Sequence, residues 1–323
     1  NSAFGVGALR DNTSNSANTA MGYLALVVNT AAENTAVGAL AMQGNTTGTY
    51  NVAVGKSAGA GHITGSSNIS IGWNANRTGT GSGNTLVGTA SGYDMTTGTQ
   101  NVSLGDVALR YISSGAYNVA IGGGALNQGS TASNGVAVGY QALYSNTGGY
   151  NTAVGYQAGY SNTTGAVSAL GYQALYSNTT ASYSTAVGYT ALRSTTSGYS
   201  TAVGHQAGYA NTTGGISAFG INVLVNNTTG DANCGFGGST PAGWSSALTY
   251  NTTGSANSAF GVNCLSANTT ASYNTAVGFD AMNQNTTGAS NTAVCKSSLR
   301  SNTTGGYNVA MGDSALNFNT TAN

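Results

Sequence analysis

The sequence predicts an all-β chain, a parallel β-solenoid of about 19 coils, and three observations carry that prediction. A glycine recurs every 16 or 17 residues along nearly the whole chain. Residues at fixed offsets from that glycine keep their chemical character from copy to copy. The segments between carry β-branched residues bounded by Gly, Asn and Thr, with no 3.6-residue apolar period.

The anchor glycines are Gly5, Gly22, Gly38, Gly55, Gly72, Gly88, Gly105, Gly122, Gly139, Gly155, Gly171, Gly188, Gly204, Gly220, Gly237, Gly261, Gly278 and Gly312, and Cys295 holds the slot once. One interval, Gly237 to Gly261, is 24 residues long. The residue before the anchor is apolar in every copy, for example Val37, Ile71, Leu104 and Met311. The residue before that is Ala, Ser or Gly, with Leu86 the exception. Ala usually stands three after the anchor and Leu or Met four after, as in Ala142 and Leu143. Asn stands four before it in most copies, including Asn18, Asn34, Asn51 and Asn274.

A period this short excludes paired helices, whose repeats need about 33 residues or more. It suits one coil of two short strands, with coils stacked at the ~4.8 Å strand spacing so that like residues align. The expectation is a single array over 1–323, interrupted by a loop insertion at 238–250 that carries the chain's one proline, Pro241, and Trp244. The apolar residue before the anchor and the Leu four after it are expected to face inward. Such a coil buries little apolar surface for the backbone it must order. The array is therefore expected to pack against copies of itself.

Composition narrows function. Charged residues make up 4% of the chain, and seven basic residues balance seven acidic ones. No electrostatic footprint for nucleic acid or anionic lipid results, so nucleic acid is not expected as a partner. No apolar run approaches the ~18 residues of a membrane span. Apolar residues make up 40% of the chain and sit at fixed positions, which argues against disorder. The array opens and closes within a repeat, which reads as a segment of a longer protein.

The NTAVG and NSAFG segments, followed by Ala and Leu at three and four residues, resemble the head repeats of trimeric autotransporter adhesins and related tail-fibre-like repeat proteins of bacteria and phages. The resemblance covers the chain apart from the stretch near Pro241. It implies a left-handed parallel β-roll in which three chains associate through the apolar strand that carries the residue before the anchor. It implies a cell-surface attachment structure, hence an extracellular, cell-surface or virion location.

Function is then expected to be structural: an adhesin head or shaft, or a tail-fibre-like filament, that self-associates. An alternative is a module that binds glycans or a host surface through its tyrosines. Tyr140, Tyr156, Tyr172 and Tyr189 directly follow an anchor, and Tyr144, Tyr160, Tyr176 and Tyr209 lie five after one. Rings in such columns either stack on a sugar or stack on each other. A third column, five before the anchor, holds Tyr50, Tyr117 and Tyr150 among others. The Asn column reads as an amide ladder.

Ten NTT triplets offer glycan acceptors at Asn45, Asn162, Asn178, Asn211, Asn227, Asn251, Asn268, Asn285, Asn302 and Asn319. Asn, Thr and Gly are equally turn formers. A lesser alternative, ice binding, rests on threonines three before the anchor, such as Thr19, Thr35, Thr152 and Thr275. Catalysis finds no support: His62 and His205 lie far apart, and the acidic residues are scattered singly. No calcium, zinc or phosphate-loop spacing occurs, and no cofactor is expected. Gly122, Gly123 and Gly124 sit at a solenoid turn. Cys234, Cys264 and Cys295 are odd in number and fall in different columns, which predicts no disulfide framework.

Overall fold

The strand that ends at each anchor glycine is the unit of the fold. In the sequence Asn-Thr-Ala-Val-Gly, alternate side chains must point to opposite faces. Asn and Ala turn inward, and Thr and Val turn outward. The structure, a computed structural model, describes residues 1–323 apart from His62, Ala181, Ser197, Thr240, Pro241, Ala242 and Asn323. Among the described residues it is a parallel β-solenoid with 19 strands of three or four residues and no helix.

The chain divides into two compact units, Asn1–Thr164 and Gly165–Asn323. The first runs from β1 (Ser2–Phe4) to β10 (Thr152–Val154), and the second from β11 (Val167–Leu170) to β19 (Val309–Met311). In both units each strand pairs in parallel with the strand of the next coil, like residue on like residue: Thr35 on Val52, Ala36 on Ala53, Val37 on Val54, and again Thr275 on Thr292, Ala276 on Ala293.

The core is a column stack. Ala20, Ala36, Ala53, Ala137 and Ala276, two before the anchor, are buried, as are Ala25, Ala142 and Ala174 three after it. Leu26, Met42, Leu143, Leu192 and Met282, four after it, are fully buried. The apolar residue just before the anchor, expected inside, is not buried in any copy. It shares the outward face with the residue three before the anchor; Leu104 is 53% exposed and Val102 42%. Alternation along the strand gives the interior to alanine, which leaves room for the Leu of the opposite side; in the one coil where Leu86 takes the alanine slot, Gly92 takes the Leu slot and a Cβ there would stand 2.6 Å from Leu86 Cδ1.

Each coil contains one strand, not the two expected. The opposite side is built by residues whose φ alternates in sign. Leu40 and Met42, at φ 63° and 47°, flank an ordinary Ala41, and the same pattern holds at Gln141 and Leu143 (53° and 50°). This alternation aims successive amides up and down the stack. Leu40 N–H donates to Tyr23 O at 2.8 Å in the preceding coil, and Met42 N–H donates to Ala58 O at 2.9 Å in the following one.

The anchor glycines are a steric necessity. Gly55 has φ +131°, and a Cβ there would stand 2.6 Å from the carbonyl oxygen of Gly72. Cys295 occupies the slot with φ 95°, a strained conformation for a residue with a side chain.

The stretch 238–250 still follows the coil at Ser239, whose N–H donates to Ile221 O at 3.3 Å, and is again in it by Ala247 and Leu248, which are fully buried. Leu248 N–H donates to Cys264 O at 3.1 Å. Trp244 meets Phe279 edge-on at 4.9 Å, whereas Pro241 lies outside the described residues.

Candidate functional site

Two amide ladders line the interior. The Asn four before the anchor points inward with the alanine of its strand, and its carbonyl oxygen accepts the backbone N–H of its counterpart one coil on. Asn68, Asn84, Asn101 and Asn118 form such a run, with N–H to Oδ1 distances of 2.9, 2.9 and 3.0 Å between successive members. Their Nδ2 atoms donate onward to Gly81 O, Gly98 O, Gly115 O and Ala132 O at 2.7–2.9 Å. At the start of the second unit the slot holds Val167, Ser184, Ser200 and Ile216, all buried.

The second ladder is made by the asparagines of the NTT turns. Asn45, Asn162, Asn178, Asn211, Asn227, Asn251, Asn268, Asn285 and Asn302 are fully buried, and only Asn319, near the chain's end, is partly exposed. Asn251 Nδ2 donates to Asn227 Oδ1, Asn268 Nδ2 to Asn251 Oδ1, and Asn302 Nδ2 to Asn285 Oδ1, at 2.7, 2.7 and 2.9 Å. The same amides reach the carbonyls of Gly254, Ala271 and Gly305. A glycan on any of these nine would have to leave through a packed coil, so the NTT triplets act in the folded chain as turn formers. The next threonine continues outward as a hydroxyl ladder: Thr269 Oγ1 to Thr286 O at 3.2 Å and Thr286 Oγ1 to Thr303 O at 3.0 Å.

The tyrosine columns lie on the surface. Tyr140, Tyr156, Tyr172 and Tyr189 are each 41–50% exposed, and Tyr144, Tyr160, Tyr176 and Tyr209 are half-buried beside them. In the first unit Tyr140 stacks on Tyr156 and Tyr144 on Tyr160, with centroids 5.5 and 5.1 Å apart. In the second, Tyr172 stacks on Tyr189 and Tyr189 on His205, both at 5.1 Å. Arg193 sits over Tyr176 and Tyr209 at 5.0 and 5.8 Å. The column five before the anchor is the most exposed and adopts positive φ, as at Tyr150 and Tyr307.

The threonines three before the anchor stand on the outward strand face. Val52, Ile69, Val102, Val119 and Val136 interrupt them, so a continuous Thr array is missing from that face.

No group of three or more His, Cys, Asp or Glu among the described residues is placed to hold a metal ion, and no helix is long and apolar enough to cross a membrane. His62 lies outside the described residues. The three cysteines are free thiols. Cys264 is buried in the core, its Sγ donating to Ala276 O at 3.1 Å, and burial pushes its pKa up to about 12.

Sequence reasoning did not single out a notch in the first unit. It measures about 250 Å³ and is lined by Asp106, Arg110, Gly123, Gly124, Tyr140 and Tyr144 among others. A signal was present, since coil 8 alone carries glycine at both positions after its anchor.

Compared with family models, curated proteins and solved structures, the chain matches none.

Proposed function

We propose that the chain is a structural segment of an extracellular or cell-surface fibre, an adhesin head or shaft or a tail-fibre-like filament, whose copies associate through their strand faces. One observation carries this reading. The outward strand columns form a continuous apolar stripe along each unit: Met21, Val54, Ile69, Ile71, Val102, Leu104 and Ile121 in the first, and Leu170, Val203, Phe260 and Val277 in the second, are all exposed. Phe219, Phe236 and Phe260 stack on that face at 4.5 and 5.0 Å. Apolar patches of this extent on a soluble chain mark contact surfaces.

The partner that best fits the stripe is another copy, because an apolar group every ~4.8 Å matches only a surface with the same repeat. The likeness to adhesin head repeats supports three chains around this face and a left-handed coil. The near absence of charge, with no group of three or more His, Cys, Asp or Glu placed to hold a metal among the described residues, favours a scaffold over an enzyme.

Light scattering on the purified chain tests the proposal: an oligomer is expected, and Leu104→Lys shifts the mass toward the monomer while the far-UV spectrum stays unchanged. A monomeric wild-type chain would sink the reading. So would electron micrographs showing compact globules instead of rods or filaments.

A second reading, surface or glycan binding through the tyrosine columns, is favoured by the exposure of the stacked rings. Replacing Tyr156, Tyr172 and Tyr189 by Ala should abolish any glycan-array signal; an undiminished signal removes these rings from the argument.

A further inference from the structure

The column of residues directly after the anchors is interrupted by glycine at two places, at Gly238 where the 238–250 insertion begins and at Gly123 within an unbroken run of coils. Coil 7 places Asp106 in that column, coil 9 Tyr140 and coil 10 Tyr156. Coil 8 places Gly123, and Gly124 follows it where the neighbours have Val107 and Gln141. Two adjacent side chains are thus missing between coils that fill both positions.

The gap exposes groups that are covered elsewhere. Tyr140 stacks on Tyr156 with one face, and its other side borders the space a side chain at Gly123 would fill: a Cβ there would lie 3.4 Å from Tyr140 Cδ2. A Cβ at Gly124 would lie 3.7 Å from Tyr144 Cδ2 and 3.3 Å from Gln141 Cγ. Across the gap, no described residue partners the Asp106 carboxylate. Arg110 is held over the Tyr111 and Tyr93 rings at 5.0 and 5.6 Å, and its Nε is buried without a hydrogen-bond partner.

An aromatic wall, a free carboxylate and an amide therefore converge on a space of about 250 Å³. That is somewhat below the ~300–1,000 Å³ of sites for drug-sized ligands, which suits one six-membered ring.

We propose that this notch binds a single neutral hexose unit of a glycan. The sugar takes the slot of the missing side chain in the column. Its C–H face stacks on Tyr140 at the spacing the rings themselves use. Its hydroxyls donate to the Asp106 carboxylate and accept from the Gln141 Nε2–H, since the Gln141 Oε1 already accepts from Gln157 Nε2 at 2.9 Å. The tyrosines of the following coils lack such a notch, because each ring there is preceded in the column by another side chain. Specificity resides in coil 8.

Saturation-transfer NMR and titration calorimetry with the methyl glycosides of glucose, galactose and mannose test the assignment, with glucuronate as a charged comparison. At least one neutral glycoside is expected to bind. Gly123→Tyr, which continues the column of Tyr140 and Tyr156, should weaken that binding at least tenfold, and Tyr140→Ala should do the same by removing the stacking wall. Circular dichroism confirms that each variant is folded. Tyr140 is half exposed, so the second variant stands if the first does not fold. Failure of all three neutral glycosides to bind, binding of glucuronate alone, or binding undiminished in a folded variant overturns the proposal.

Discussion

Cys264 and Cys295 show how much a single slot decides. Cys264 stands three after its anchor, where other coils place Ala, Ser or Val, and it is buried with its thiol donating to a backbone carbonyl. Burial disfavours the thiolate and raises the pKa to about 12, whereas an unfolded cysteine titrates near 8.5. The sign follows from linkage. The folded state keeps a proton that the unfolded state releases, so stability falls as pH rises from about 8.5 toward 12. Denaturant midpoints measured from pH 7 to pH 10 should decline more steeply for the wild type than for Cys264→Val, which copies Val223 in the same slot. Cys295, in an anchor slot, is exposed. A thiol reagent should label it in the native protein and reach Cys264 only after unfolding; equal rates would mean that the coil opens there.

At the scale of the element, the strand and its amide ladder are one device. A three-residue strand offers few backbone hydrogen bonds to the next coil, and each buried Asn adds side-chain bonds. Asn84 accepts the backbone N–H of Asn101 and donates to Gly98 O, both at 2.9 Å. Asn84→Ala would leave both groups buried and unpaired, and the unfolding free energy should drop by about 3 kcal/mol or more. The exposed Tyr117→Ala, two coils on, should change it by less than ~0.5 kcal/mol. Comparable losses in the two variants would show that the ladder contributes nothing beyond the turn.

Much of this element was legible. Asn at a fixed offset, a small residue in the strand and Leu four after the anchor all occupy the core as the columns imply. The outward placement of the residue before the anchor was not legible. In Thr-Ala-Val the two candidates for the inside, Ala and Val, are both apolar, so hydropathy does not choose between them. The alternating handedness opposite the strand was equally hidden. Leu, Met, Gln and Tyr do not advertise left-handed backbone, and coil-to-coil hydrogen bonding imposes it on them.

For the whole molecule, nearest-neighbour contact is the governing fact. Within each unit every described strand pairs with the strands of adjacent coils, so the stability of a unit should be close to a sum over coils and their interfaces. Removing one full coil in register, residues 52–68, joins Asn51 to Ile69 and keeps every column aligned. That deletion should leave a cooperatively folded protein whose far-UV spectrum per residue is unchanged. Removing eight residues, 52–59, breaks the register of the following coils and should lower the unfolding midpoint sharply. Equal tolerance of both deletions would mean that column register is not what holds the array.

The sequence by itself determined the period, the coil number and the inward Leu column, because stacking in register writes the same requirement into every 16 or 17 residues. Only the tertiary structure decided which apolar column faces solvent, that the NTT asparagines are interior, and that Gly123 and Gly124 open a notch. Those outcomes depend on volume and on neighbours in adjacent coils. A side chain's exposure is set by what lies one coil above and below it, and no single repeat contains that information.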